Sequence, residues 1–416
     1  MKVLVVGKGG REHVLAWKAS QSELVKHVFI APGNVGMKNI GTLVGIEEEK
    51  ILELADFAEK NKIGLTIVGP ESVLALGIVN EFEKRGLKIF GPTKEAAKIE
   101  TSKDFAKKLM KKYNVPTGNY ETFDNILEAK VHLDNQSVPI VIKEDGLKAG
   151  KGVTVAFSKE EAIEALEIAF SISGNKVVIE EYLDGFEFSI IALANGETII
   201  PLEVAQDHKR VYDNDKGPNT GGMGVYSPVD RIDKTIVDET IKKIVNPMLV
   251  GMKRDGIPFK GFIFAGVMLT DSGVKTIEFN ARFGDPEAEG ILPRLKTDFI
   301  QVILDVLDNK TLELEWDKRY AVAVVMASEN YPKSSTIGSD IDIPEKLESL
   351  VFHMGTKIEK NRLQTNGGRV LSIVSYGHTL EEAQRNVYRD VKKIKCKQLF
   401  FRNDIGSKMC YNNKNK

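Results

Sequence analysis

The stretch EFNARFGDPE, residues 278–287, holds the densest set of reactive side chains in the sequence. It completes the apolar run VKTI, which reads as a strand. Side chains two apart on a strand share a face, so Glu278, Asn280 and Arg282 are predicted to project together. A carboxylate beside an amide oxygen offers hard ligands suited to Mg²⁺ bridging phosphates. A guanidinium next to them can grip a carboxylate or phosphoryl oxygen through two hydrogen bonds. The bland alternative is a polar strand face in solvent. Such faces normally interleave Thr, Lys and Ser, and burying Glu, Asn and Arg together without a ligand would be costly.

A second stretch, KEDGLKAGKGVTV (143–155), follows the apolar run VPIVI and packs three glycines and three lysines into ten residues. Either it is a mobile surface hairpin, or its backbone approaches something strongly anionic. In GKGGREH (7–13), glycines 7, 9 and 10 lie between a strand and a helix, where exposed N–H groups bind phosphate. The dinucleotide fingerprint is not met, because Glu12 occupies its third glycine position. The second strand ends in Ala31-Pro32-Gly33-Asn34 rather than in the acidic residue that holds a nicotinamide ribose. A tight turn with only a packing role remains the alternative.

Two further segments are chemically rich. EEYLDGFEFS (180–189) offers a strand edge to an adenine and a carboxylate, Glu187, to ribose hydroxyls; a surface hairpin explains it equally well. The glycine-rich segment 207–228 carries both signs of charge and is either functional or disordered. Within it Lys209, Arg210 and Asn219 are candidates for phosphate or substrate. No histidine pair has metal-ligand spacing, no GxSxG elbow occurs, and no cysteine has a nucleophile context.

These segments must be held by elements. KVLVV (2–6), HVFIA (27–31), LTIVG (65–69) and LKIFG (87–91) read as strands, with helices over 11–21, 47–61 and 73–84. That alternation predicts a parallel sheet with ligands beyond its carboxyl ends, at GKGGRE, APGN and GPE. A helix over 102–113 follows, ended by Pro116. Helices over 124–133 and 159–170 and strands VPIVIK, GVTVAF and KVVIEEYL form a second α/β segment. Strand-like runs FSIIALA, ETIIPLEVA, GFIFAGVML and VKTIEFN come next, the last two joined by a turn at 270–273, with a long helix over 234–254. A third unit starts near Arg319 with YAVAVVMAS, GRVLSIVSYG and a helix over 379–395. The polar tail CYNNKNK is expected to be disordered.

A chain of 416 residues implies two to four domains. A formal net charge of −1 gives no reason to expect a nucleic-acid partner. Two distant cysteines, Cys396 and Cys410, fit a reducing compartment. No apolar run suits a signal peptide or a membrane span, so a cytoplasmic protein with no membrane partner is expected.

Taken in order, VGKGGREHVLAWK, APGN, LTIVGPE, IFGPT, K-x-D-G-L-x-A-G-K-G-V, IEEYLDG-x-E, QDHKRVYDNDKGPNTGGMG, IEFNARFGDPE and TNGGRVLSIVSYGHTLEEA resemble the phosphoribosylamine–glycine ligases, a family of ATP-grasp enzymes. The resemblance implies an α/β architecture: a parallel, Rossmann-like substrate-binding domain over 1–100, an ATP-grasp α+β domain over 101–310 with a lid at about 115–190, and a small α/β domain over 319–416. It implies ATP-dependent joining of glycine to 5-phosphoribosylamine through a glycyl phosphate, in purine biosynthesis, with Mg²⁺ or Mn²⁺ on Glu278 and Asn280. ATP is expected at Lys103, Lys143, Gly146, Gly150, Lys151, Gly152, Glu180, Glu181, Tyr182, Leu183, Glu187, Arg210 and Asn219, under a glycine-rich lid that excludes water. Arg282, Asp285 and Asp207 are expected to orient glycine and the amine. Gly9, Gly10, Arg11, Glu12, Asn34, Pro70 and Glu71, with Arg369, are expected toward the phosphoribosyl end. Glu144 and Lys148 stand where the family more often has alanine and are expected to face solvent. A monomer is expected. The alternatives are another ATP-grasp ligase or carboxylase, though no Met-Lys-Met biotinyl signal is present, a nicotinamide-dependent oxidoreductase, and a non-catalytic nucleotide sensor.

Overall fold

The computed structural model describes residues 1–148 and 152–407. The expectations for Gly150, Lys151 and the tail CYNNKNK therefore lie outside the described residues. The first unit is a five-stranded parallel sheet in the order Thr42–Leu43, His27–Pro32, Lys2–Gly7, Leu65–Val68, Ile89–Phe90. Val3, Leu4, Val5 and Val6 are all fully buried, because helices cover both faces of a parallel sheet. The helix expected over 73–84 is two helices, Glu71–Leu76 and Ile78–Lys84, divided at Gly77. Gly77 has φ +91°, a left-handed conformation that costs a glycine little and ends the first helix. The helix expected over 47–61 begins only at Ile51.

Ser102 accepts a hydrogen bond from Phe105 N at 3.1 Å and starts the helix Lys103–Lys112. Beyond it lies an antiparallel sheet in the order Tyr120–Phe123, Val177–Glu181, Ile140–Glu144, Val153–Ala156, backed by the helices Ile126–Asp134 and Lys159–Phe170. This lid has its own small core, including Ala129, Leu133, Ile142, Leu166 and Ile179. A unit with a separate core can move as one body over a neighbouring surface. The lid sheet ends at Glu181; the next strand, Phe186–Asn195, belongs to a second antiparallel sheet with Thr198–Pro201, Lys260–Thr270 and Gly273–Asn280. The long helical run is continuous over 234–254 but widens to a π-turn at Ile241–Val245, just before Pro247, which lacks an N–H to donate.

The segment 207–228 is not a loose loop. Gln206–Asp207 and Gly224–Ser227 join the third unit's sheet, where Gly224–Ser227 pairs with Tyr320–Ser328. Arg210–Tyr212 and Lys216–Asn219 form a hairpin between them. Arg369–Gly377 pairs on the other side of Tyr320–Ser328, and the helix Leu380–Val391 packs on both strands. The third sheet is thus built from two distant parts of the chain, and that ties Arg369 to the cleft. Among the described residues no helix is long and apolar enough to cross a membrane.

Candidate active site

The lid sheet, the second antiparallel sheet and the carboxyl ends of the parallel strands face one cleft of about 290 Å³. It collects Arg11 and Glu71 from the first unit, Lys103 from the linking helix, Lys143, Gly146, Gly152 and Glu180 from the lid, and Asp207 and Asn219 from 207–228. Glu278, Asn280, Arg282 and Asp285 come from the strand end and Arg369 from the third unit. The three side chains expected on one strand face do meet here, although Arg282 lies just past the strand's end at Asn280.

At one end the cleft is lined by lysines. Lys107 is 2% exposed and donates to Glu180 Oε2 at 2.9 Å and to Thr117 Oγ1 at 2.8 Å. Lys143 donates to the same Glu180 oxygen and to Ile277 O, both at 3.0 Å. Glu180 Oε1 is buried and has no hydrogen-bond partner among the described residues. Burial pushes Lys107 down to about 8, against the pull of Glu180 and with that of Lys143. Burial also lowers Lys103, whose Nζ donates to Gly146 O at 2.9 Å. Asp145 accepts from Lys103 N at 2.6 Å and from Ser102 Oγ at 3.2 Å, docking the start of the glycine-rich hairpin on that helix's first turn. Gly146 has φ +89°. Glu144 and Lys148 do not face solvent: they pair at 2.7 Å, and Glu144 also accepts from Asn175 at 3.1 Å. Their side chains brace the hairpin across its base.

At the centre, Lys209 pairs with Glu187 and lies 3.7 Å from Glu278 Oε1. Burial alone would raise the Glu278 carboxyl, but Lys209, Lys143, Lys103 and Arg282 outweigh it and hold it below the usual range. Asp207 is raised, by burial first and then by Glu287, Glu187 and Glu278, with Lys209 opposing. The Asn280 amide satisfies its surroundings with its nitrogen toward Glu100 Oε1 and Phe279 O, each at 3.2 Å. No group of three or more acidic, His or Cys side chains with metal-binding geometry occurs among the described residues. An ionised Glu278 with the Asn280 amide supplies two hard oxygens. That donor set fits Mg²⁺, which keeps several waters and takes its remaining oxygens from phosphates.

At the other end the cleft is lined by guanidinium groups held in carboxylates. Arg282 pairs through Nε with Glu71 at 3.1 Å and through Nη2 with Glu100 at 2.9 Å. Arg11 pairs with Glu12 at 2.6 Å and reaches Glu71 at 3.7 Å. Burial would raise Glu71, yet Arg282 and Arg11 hold it down at about 2. Glu100 is pushed up to about 7 by burial, with Arg282 opposing, and accepts from Ala281 N at 2.7 Å. Arg369 meets Asp285 at 3.0 Å.

Several expected residues are not among those that line the cleft. Arg210 points its guanidinium at Gly217 O at 2.7 Å, along its own hairpin and away from the cleft lining. Glu181 is exposed and engaged with Asn119 N and Lys275; Tyr182 is exposed and Leu183 half-buried, both on the chain leaving the lid. Glu187 reaches the cleft only through Lys209. Glu12 has both oxygens committed, to Arg11 and to Gly9 N at 2.6 Å, and fills the space left by Gly7 and Gly69. The Asn34 amide is tied to Lys8 O, His353 O and Gly36 N. Pro70 caps the helix carrying Glu71, and Gly10 lets Glu289 approach the first helix. The sequence reading missed Lys107, Glu100 and Glu287. Lys107 carries a readable signal: it stands in the buried stripe Ala106, Leu109, Met110 of its helix, where a lysine needs an anionic partner.

Three family models match most of the chain: phosphoribosylglycinamide synthetase N domain over 1–100, ATP-grasp (A) domain over 101–288 and C domain over 321–408. A phosphoribosylamine–glycine ligase of Halalkalibacterium halodurans is 51% identical over 415 residues, covering 98% of this chain and 97% of that protein. Its counterpart from Lactococcus lactis subsp. lactis is 50% identical over 412 residues, with coverages of 98% and 100%. The crystal structure of phosphoribosylamine–glycine ligase from Thermotoga maritima is similar with a TM-score of 0.85 at 34% identity, covering 97% of this chain and 100% of that one. The biotin carboxylase domain of Hydrogenobacter thermophilus 2-oxoglutarate carboxylase, solved with MgADP and bicarbonate, shares the fold at 16% identity and a TM-score of 0.69, with coverages of 96% and 91%.

Proposed function

The chain belongs to the phosphoribosylglycinamide synthetase family, and we propose that its cleft activates glycine as an acyl phosphate before amide formation. It is an ATP-dependent ligase: ATP, glycine and 5-phosphoribosylamine give glycinamide ribonucleotide, ADP and phosphate, a step of purine biosynthesis. Family membership sets aside the nicotinamide-dependent oxidoreductase. A carboxylate resists an amine because its leaving group would be oxide, whereas an acyl phosphate releases phosphate. Such a transfer asks for alignment and charge neutralisation rather than a protein nucleophile.

The adenosine lies at the lysine end, against Glu180 and the chain 181–187. The triphosphate runs beneath the glycine-rich hairpin, with Lys103 and Lys143 neutralising its charge and Gly146 and Gly152 allowing close approach. Asn219 closes this side. Glu278 and Asn280 would hold Mg²⁺ or Mn²⁺, which supplies charge neutralisation between the phosphates when bound. Lys209 already balances Glu187 and Glu278, so it is close enough to follow charge as the phosphoryl group moves. Asp207 and Asp285, beside Arg282, border the glycine. The phosphoribosyl end lies against the turns of Gly9 and Gly10, Arg11, Glu71 and Arg369, with Glu12, Asn34 and Pro70 shaping those turns. The lid body closes over the bound reactants and keeps water from the acyl phosphate. A monomer in the cytoplasm completes the reading.

The observation that carries this function is the convergence of Glu278, Asn280, Lys103, Lys143 and Arg282 on one cleft under a separately cored lid. The test is a product assay with freshly made 5-phosphoribosylamine. Glycinamide ribonucleotide, ADP and phosphate are expected in equal amounts, each requiring all three substrates. Rapid ADP formation with another acid in place of glycine would overturn the substrate assignment.

A further inference from the structure

Glu100 belongs to none of the segments whose residue types announce phosphate or metal chemistry, yet three consecutive residues of the strand end converge on it. It stands on the short helix Lys98–Thr101, directly before the helix that carries Lys103. Its side chain is 6% exposed and lines the cleft. Oε2 accepts from Ala281 N at 2.7 Å. Oε1 accepts from the Asn280 amide nitrogen at 3.2 Å and from Arg282 Nη2 at 2.9 Å.

A carboxylate accepts on both oxygens, whereas a glutamine would bring one oxygen and one NH₂ and leave a contact unmade. Ala281 N and the buried guanidinium account for an anion here as packing alone. They do not account for the third contact. Both N–H groups of the Asn280 amide are spent, on Glu100 Oε1 and on Phe279 O, each at 3.2 Å. The amide therefore offers a ligand its oxygen alone. A cation needs that orientation, because the reversed amide would present N–H groups to it.

We infer that Glu100 is a positioning residue: it selects the Asn280 oxygen as the atom presented to a divalent ion, and it ties that amide to Arg282 through one shared oxygen. This inference rests on the reading of Glu278 and Asn280 as metal ligands above.

The test is calorimetric binding of Mn²⁺ to the full chain saturated with ADP, beside ADP binding without metal. Wild type is compared with Glu100→Gln, Asn280→Asp and the double variant. Glu100→Gln frees the amide to reverse and is expected to weaken Mn²⁺ by about tenfold to a hundredfold, the usual loss when the partner of a metal ligand is changed. Its metal-free ADP affinity should not change. Asn280→Asp sets a carboxylate against Glu100, so it too should weaken Mn²⁺, although it adds negative charge to the site. In the double variant the new amide can donate to the new carboxylate, and Mn²⁺ should bind more tightly than to either single variant. A packing role would not produce that rescue. Unchanged Mn²⁺ affinity in Glu100→Gln, tighter binding in Asn280→Asp than in wild type, or a double variant no better than the singles would overturn the inference. So would a loss of metal-free ADP binding in Glu100→Gln in step with Mn²⁺ and with a lower Tm. A wild-type chain that bound ADP but showed no ADP-dependent Mn²⁺ site would remove the metal reading and this inference with it.

Discussion

The two ends of the cleft solve the problem of buried charge in opposite ways. At the lysine end Lys103, Lys107 and Lys143 gather around the carboxylate of Glu180 and the backbone of the hairpin. Burial works against those ammonium groups, lowering Lys107 and Lys103. The surplus of positive charge is what a triphosphate would neutralise. At the arginine end Arg11, Arg282 and Arg369 are matched by Glu12, Glu71, Glu100 and Asp285. That lattice is balanced before any ligand arrives, and arginine cannot release its proton to relieve burial. The lysine end is electrostatically unfinished; the arginine end is a frame already paired within the protein.

Four changes would break or sharpen this contrast. The largest effect is expected at the junction of the two ends. Glu278→Gln removes the charge of one proposed metal ligand, and kcat should fall on the order of a hundredfold to a thousandfold, the scale of losing one electrostatic stabiliser of a transition state. ADP binding without a divalent ion should persist, and steady-state kinetics beside metal-free calorimetry would check both.

Glu71→Gln attacks the frame. Glu71 is shared by Arg11 and Arg282, so the loss should destabilise the fold by about 1–3 kcal/mol in urea unfolding. A neutral result would mean that the frame is not balanced by this carboxylate.

The ends should also respond to alkali with opposite sign. Lys107 titrates near 8 in the fold and at its ordinary value of 10.5 when unfolded, so the unfolded chain binds more protons between those values. Its contribution to stability therefore rises with pH from about 8 toward 10.5, and Lys107→Met should flatten that slope. Glu289, packed beside Gly10, has both oxygens buried without hydrogen-bond partners among the described residues. Burial, then Asp285, raise it well above the usual range, with Arg369 opposing. The fold holds its proton where the unfolded chain has lost it, so stability from this group falls as pH rises above the ordinary carboxylate range. Glu289→Gln, an uncharged isostere, should remove that fall, a smaller effect visible in Tm against pH.

The sequence made much of this legible. Strand-end motifs are short, and their residue types declare phosphate, metal and carboxylate chemistry, so Lys103, Lys143, Glu278, Asn280 and Arg369 could be named from spacing and resemblance. Partnership across domains was not legible. Nothing local says that Glu100 clasps Ala281 N and Arg282, or that Asn34 is consumed by the backbone of Lys8 and His353. Arg210 and Lys209 are adjacent, and the alternation of an extended chain sends Lys209 into the cleft and Arg210 along its own hairpin. The split at Gly77 was signalled by the glycine itself, but an apolar pattern continuing on both sides concealed it.

The central claim is that the cleft hands the terminal phosphoryl group of ATP to the carboxylate of glycine. Glycine labelled with ¹⁸O in both carboxylate oxygens tests it directly, by mass spectrometry of the phosphate released during turnover with ATP and 5-phosphoribosylamine. One labelled oxygen should appear in each phosphate, since that oxygen bridges carbon and phosphorus in the acyl phosphate. Phosphate free of label, alongside normal formation of glycinamide ribonucleotide, would contradict the account.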